Sequence, residues 1–249
     1  RRQRQMCIRD RVNSVILKYA IELSVDTGEQ RMHMPDGFLT LKIAVIAFLI
    51  DVPFWILSFK KVRDTFDEKT APLFGTLTAL IFAAQMVNWP IGPGGTTGHL
   101  IGSPLVSILL SPYSGVIALS IILLVQALVF NDGGITTYGG NVLSMAVVGS
   151  FIGYATYKAT LKLAGKLKVN KRTKLIVASF LGGWVGITFA ALSTGIQLGL
   201  SSSVFGYGLS ITVPVMTISH AIIGIGEGAI TAAAVYYVSK VRPDLVKEG

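Results

Sequence analysis

The sequence predicts an all-α integral membrane protein of about seven transmembrane helices, with the N-terminus outside and the C-terminus in the cytoplasm. Three observations predict it. The 249 residues are 51% hydrophobic and only 14% charged, against about 25% charged in ordinary soluble domains. The apolar residues come in long blocks, several near the roughly 20 residues a helix needs to cross a bilayer core. The basic residues fall almost wholly in alternate links between those blocks, the pattern of the positive-inside rule.

Residues 1–31 stand apart from the rest. They carry seven basic and four acidic residues. Their apolar part, Val12 to Val25, is broken by Lys18 and Glu22. It is too short and too charged to span, and it lacks the clean apolar run and cleavage site of a signal peptide. The expectation is a non-native or poorly ordered N-terminal extension over 1–31, with Met32 as the biological start, and a single transmembrane domain over 32–249. The one cysteine, Cys7, excludes a disulfide within the chain.

Seven apolar blocks follow, near 38–59, 71–91, 98–112, 115–131, 138–157, 174–200 and 209–239. The third is short for a span. It is expected to be tilted, partly re-entrant, or to begin in a polar pocket. Lys60, Lys61, Arg63 and Lys69 follow the first block. The link after the fifth runs from Lys158 to Lys174 and contains no acid. Lys240, Arg242 and Lys247 close the chain. These clusters hold 14 of the 15 basic residues after Met32, and the links 92–97, 132–137 and 201–208 hold none. Seven alternating spans place every cluster on one side, the cytoplasm, and Met32 and His33 on the other. A net charge of +9 distributed this way serves membrane orientation rather than nucleic-acid binding. Gly149 and Gly153, and Gly224, Gly228 and Ala232, recur at four-residue steps, which lets helices approach closely in lipid.

Only three histidines are present: His33, His99 and His220. The first two lie on the outer side by this topology. A chain beginning Met-His has a chelating end. The amine of Met32 and the amide nitrogen of His33 close a five-membered ring on a metal. The amide and imidazole nitrogens of His33 close a six-membered one. Nickel(II) and copper(II) favour such tetragonal nitrogen sites, and His99 could supply a fourth nitrogen. Each histidine also has a plainer reading, His33 as a solvated terminal residue and His99 as a turn residue between glycines.

A likeness across the chain bears on that choice. The segments Met32-His33-Met34-Pro35-Asp36-Gly37-Phe38-Leu39, Ala83 to Pro90 (AAQMVNWP) and Gly94-Gly95-Thr96-Thr97-Gly98-His99-Leu100-Ile101-Gly102 resemble the CbiM/NikM family. So do Gln126-Ala127-Leu128, Asp132-Gly133-Gly134 and His220 to Gly228 (HAIIGIGEG). These are the substrate-binding components of energy-coupling-factor transporters for cobalt and nickel. The resemblance implies metal ligation by Met32, His33 and His99. Asn88, Thr97, Gln126, Asn141, His220 and Glu227 are candidates for supporting that site from behind. It also implies a membrane coupling protein, cytoplasmic ATPases and a small additional membrane subunit as partners, in a prokaryotic plasma membrane. Cobalt(II) or nickel(II) would be bound as cargo, with no cofactor. The chain departs from the family pattern at Ser144, where an Asn is common, and at Ser103-Pro104, where small residues are usual.

The remaining polar residues have two readings each. His220 and Glu227 lie two turns apart on one helix face and would either support the site or join helices. Gln85, Asn88, Gln126 and Asn141 would bond a folded-in N-terminal segment or bridge helices. Asp51 lies mid-span near Pro53, with a helix-break or helix-contact role. An intramembrane metal-dependent enzyme is the alternative function. It is disfavoured because no His-Glu-x-x-His is present. No Gly-x4-Gly-Lys-Ser/Thr is present either, so any ATP hydrolysis would belong to partner chains.

Overall fold

In the computed structural model, the structure describes residues 32–68, 70–90, 97–166 and 169–245. The expected extension over 1–31 lies outside them. The described chain is helical apart from one short hairpin. Helix α1 runs Leu41–Thr65 and α2 runs Thr70–Gln85. Strands β1 (Trp89–Pro90) and β2 (Thr97–Gly98) pair antiparallel. Then come α3 (Ser103–Leu109), α4 (Pro112–Val129), α5 (Tyr138–Asn141), a π-helical segment (Val142–Val148), α6 (Gly149–Gly165) and α7 (Lys171–Leu200). Last are α8 (Ser202–Phe205), α9 (Leu209–Val241) and a 3₁₀ turn at Pro243–Leu245.

Four of these helices, α1, α4, α7 and α9, are long and apolar enough to cross a membrane. At about 1.5 Å per residue, the 25 residues of α1 reach roughly 37 Å. The run from Tyr138 to Gly165 is one continuous helix whose middle turns are π-helical. Outward faces carry large apolar side chains, among them Leu41, Phe59, Val129, Ile222 and Tyr237. In water these would be a liability; in lipid they match the solvent. The all-α membrane class expected from composition is the class observed.

The third apolar block, expected to be tilted, partly re-entrant or to begin in a polar pocket, is only partly helical. Apart from Pro112, which begins α4, only seven of its residues are helical, in α3, a rod of roughly 10 Å. Every residue of α3 is buried. This block is apolar because it lies inside the protein, and it does not cross as a helix. The Ser103-Pro104 departure finds its reason here. A Cβ added at Gly186 would meet Pro104 at 2.6 Å, and one at Gly153 would meet it at 2.9 Å. The proline ring fills the notch those glycines leave.

The other small-residue steps also mark close packing. A Cβ at Gly224 would meet Ile187 and Trp184 at 2.8 Å, and one at Gly228 the Phe180 carbonyl at 2.7 Å. So α9 lies directly along α7. Three apolar clusters stack along the bundle. One end holds Met34, Leu39, Ala44 and Leu198. The centre is built on Ile81, Val116, Leu119, Val142 and Ile187. The far end holds Leu77, Leu109, Tyr157, Leu175 and Val235. Thr40 donates its N–H to the Ser201 hydroxyl at 3.1 Å at the first end. Arg172 lies 4.7 Å over the Tyr236 ring at the far end. Residues 32–40 therefore sit at the end of the bundle opposite these basic residues.

Candidate metal centre

The segment before α1 is folded into the bundle by its own main chain. Asn141 acts as a peptide mimic: its Oδ1 accepts the Met34 N–H and its Nδ2 donates to the Met34 carbonyl, both at 3.1 Å. That carbonyl also accepts from the Thr137 hydroxyl at 2.5 Å and the Gly134 N–H at 2.9 Å. Asp36 accepts the Thr136 N–H at 2.7 Å. Gly37 supplies the positive φ, +87°, that turns the chain towards α1. His33, Met34 and Leu39 end up buried.

The residues beneath this segment are Asp132, Gly133 and Gly134. Asn131 takes a left-handed φ of 52°, ending α4 and turning the chain back. Gly133, at φ +89°, leaves a would-be Cβ only 3.0 Å from the His33 Cβ. Asp132 Oδ1 accepts the Met32 N–H at 2.8 Å and, more weakly, the His33 N–H at 3.4 Å. Its Oδ2 lies 3.3 Å from His33 Nδ1. Three nitrogens of two consecutive residues thus face one carboxylate. Burial opposes ionisation of Asp132. The His33 ring and the two N–H donors outweigh burial, so its pKa lies below the usual carboxylate range.

His99 arrives from the other direction, on the strand β2 side of the hairpin. Its ring lies 5.0 Å from the His33 ring, centroid to centroid, at 67°. Its Nδ1 is 3.1 Å from the Leu100 carbonyl, which can only accept. The proton therefore sits on Nδ1 and the lone pair on Nε2. Burial, then the neighbouring His33, push the His99 pKa down to about 3. The ring is neutral, the form that ligates metal. Among the described residues no group of three His, Cys, Asp or Glu side chains is placed to hold a metal. A metal between these two imidazoles would need main-chain or terminal nitrogens as well.

The loop that carries His99 is clamped two residues further on. Glu227 on α9 accepts the N–H groups of Ile101 and Gly102, each at 2.9 Å. Gln85 on α2 donates to the Ile101 carbonyl at 2.8 Å, and Gln126 on α4 donates to Gln85 at 2.9 Å.

A family model described as the cobalt uptake substrate-specific transmembrane region, CbiM, matches residues 33–245. The chain belongs to the CbiM family. A relative from Archaeoglobus fulgidus, provisionally named the fused nickel transport protein NikMN, is 45% identical over 217 residues, 87% of this chain and 68% of that one. The cobalt transport protein CbiM of Geobacter sulfurreducens is 30% identical over 218 residues, 86% of this chain and 61% of that one. A solved structure described as a truncated transition metal transporter aligns with a TM-score of 0.77 at 38% identity. It covers 84% of this chain and 99% of that one.

Within this CbiM-family site, the structure sorts the candidate residues. Met32, His33 and His99 come together, and Asn141 holds the segment that carries two of them. Glu227 holds Ile101 and Gly102 and Gln126 holds Gln85, so neither side chain bonds the N-terminal segment. Asn88 lies just before β1, and the Thr97 backbone pairs with Pro90. His220 points its Nδ1 at the Met216 carbonyl of its own helix, 2.9 Å away. At Ser144, Gln197 donates to the hydroxyl at 2.7 Å and to the Gly140 carbonyl at 3.2 Å, so the position keeps a polar role. Asp51 is fully buried on α1, and neither of its oxygens has a hydrogen-bond partner among the described residues. Asp132 was missed as a site residue. The available signal was an acid followed by Gly-Gly in a link without Lys or Arg, on the His33 side.

Proposed function

We propose that this chain is the metal-capturing component of an energy-coupling-factor importer for cobalt(II) or nickel(II) in a prokaryotic plasma membrane. One observation carries the reading. The buried His33 ring stands edge-on to His99 while its Nδ1 and the main-chain nitrogens of Met32 and His33 all face the Asp132 carboxylate. In a chain beginning at Met32, the Met32 amine, the His33 amide nitrogen and His33 Nδ1 chelate the ion, and His99 Nε2 completes a four-nitrogen set. That chelate requires a chain without residues 1–31, because their attachment turns the Met32 amine into an amide.

The steps follow from elementary chemistry. A dication arriving at the end opposite the basic clusters meets the Asp132 carboxylate, the nearest buried negative charge. The neutral His99 ring is ready to bind without losing a proton. The His33 amide must release its proton, and the metal's own charge lowers the cost of that step. The names of the Archaeoglobus and Geobacter relatives supply the cargo, nickel and cobalt. The resemblance supplies the partners: a membrane coupling protein, cytoplasmic ATPases and a small membrane subunit that turn capture into inward delivery. Equilibrium binding of nickel(II) and cobalt(II) to the purified chain beginning at Met32 tests the reading, with His99→Ala as the control. Equal binding by the two proteins would refute it.

A further inference from the structure

His99 is the one proposed ligand that does not come from the N-terminal segment. Whether a four-nitrogen set closes therefore depends on how the 97–102 loop is held. That loop has almost no regular structure of its own. Its hydrogen-bonded strand is two residues long, and α3 begins only at Ser103. The fixed point between them is the Ile101-Gly102 unit.

That unit is gripped from opposite sides. Two successive N–H groups can turn towards one acceptor when the backbone enters the left-handed region, and Gly102 has φ +73°. The two oxygens of Glu227 take one N–H each. Glu227 is itself buried, with 3% of its surface exposed. Gln85 holds the Ile101 carbonyl from α2, and Gln126 fixes Gln85 from α4. Ile81 closes the space beside Gly102, where a Cβ would meet it at 2.7 Å. Two helices, α2 and α9, thus converge on two residues, with α4 behind Gln85, and the chain between them and His99 is only Leu100.

We infer that Glu227 is a positioning residue for metal capture: by holding the N–H groups of Ile101 and Gly102 it sets where the His99 imidazole stands relative to His33. This rests on the four-nitrogen reading proposed above. Glu227 touches no metal and supplies no proton; it acts through the loop. Nickel(II) favours tetragonal nitrogen sites, so displacement of His99 falls hardest on nickel. The role ties the site to α9, the long helix that packs along α7 from the metal end to the basic end.

The test compares the Met32-start protein with its Glu227→Gln and Gln85→Leu variants, each purified in detergent and shown to be monodisperse. Glu227→Gln keeps the shape of the side chain but leaves one N–H facing an NH2 group. Nickel affinity and the visible spectrum of the bound nickel are read for each, with cobalt affinity alongside. The expected result for Glu227→Gln is a nickel affinity lower by about 10–100-fold, the usual range for residues that orient ligands. The planar four-nitrogen spectrum should be altered and the loss for cobalt smaller. Gln85→Leu should move the same readouts in the same direction. Wild-type nickel affinity and spectrum in Glu227→Gln overturns the inference, even if thermal stability falls, because that is the behaviour of a purely structural contact. The His99→Ala control separates the two levels. If it binds nickel as tightly as the unmodified chain, the four-nitrogen reading itself fails. If His99→Ala loses binding and Glu227→Gln does not, only the positioning role fails.

Discussion

The Asp132 carboxylate meets His33 at two points. Its Oδ1 accepts the His33 main-chain N–H at 3.4 Å and its Oδ2 lies 3.3 Å from the imidazole Nδ1. The same Oδ1 accepts the Met32 N–H. One side chain thus gathers the three nitrogens that the proposed chelate requires on one side. Asp132→Asn keeps the shape and removes the charge. It should weaken nickel or cobalt binding by about 10–100-fold, read by calorimetric titration. Unchanged affinity would show that the carboxylate only anchors the segment.

The two histidines should be unequal to the third. His33→Ala and His99→Ala are each expected to abolish high-affinity metal binding, because each removes a nitrogen from the proposed four-nitrogen set. His220→Ala should only weaken it, since His220 bonds its own helix. Equal effects of all three substitutions would contradict the assignment.

The neutral state of His99 has its own signature. With its pKa pushed down to about 3, its ring resonances in the metal-free protein should not titrate between pH 8 and pH 4.5. A midpoint near the ordinary histidine value of about 6.5 would show that the ring is open to water and free of its contact with the Leu100 carbonyl.

Close approach of α9 to α7 should tolerate no bulk. Gly228→Leu would drive a side chain into the Phe180 carbonyl and ring. Overpacking of this kind costs about 1–3 kcal/mol or more. Lower folded yield and a lower melting temperature in detergent are expected. An unchanged melting temperature would count against the packing.

How much of this was legible in the sequence differs by residue. The long helices were readable, because lipid-facing faces make blocks such as 174–200 apolar throughout. At 98–112 only the shortness of the block was readable: α3 is apolar because it is buried in protein, and composition does not distinguish protein interior from lipid. His33 and His99 drew notice through their rarity and their shared side. The π-helical turns at Val142–Val148, directly after Asn141, left no mark in the sequence. Asp132 and Met32 are 100 residues apart, and only the folded chain shows that they meet. Gln85 and Gln126 were visible as buried amides, but the target of Gln85, the Ile101 carbonyl, and the part of Gln126 in fixing Gln85 depend on a loop path that hydropathy does not encode.

The expected orientation, with Met32 outside and the C-terminus in the cytoplasm, rests on the basic clusters and is open to direct labelling. In a Cys7→Ser background, an impermeant thiol reagent should reach Ser202→Cys in intact cells and fail to reach Lys166→Cys. The reverse pattern would place the site on the cytoplasmic side and contradict capture from outside.

The central claim is that the metal is held by the free amine of Met32 together with His33 and His99. Its most direct measurement is nickel affinity of the chain beginning at Met32 against the same chain with one alanine added before Met32. The insertion moves the amine out of the five-membered ring and leaves both imidazoles and Asp132 in place. The account predicts that the added alanine damages binding about as severely as His33→Ala. Equal affinity of the two chains would contradict it.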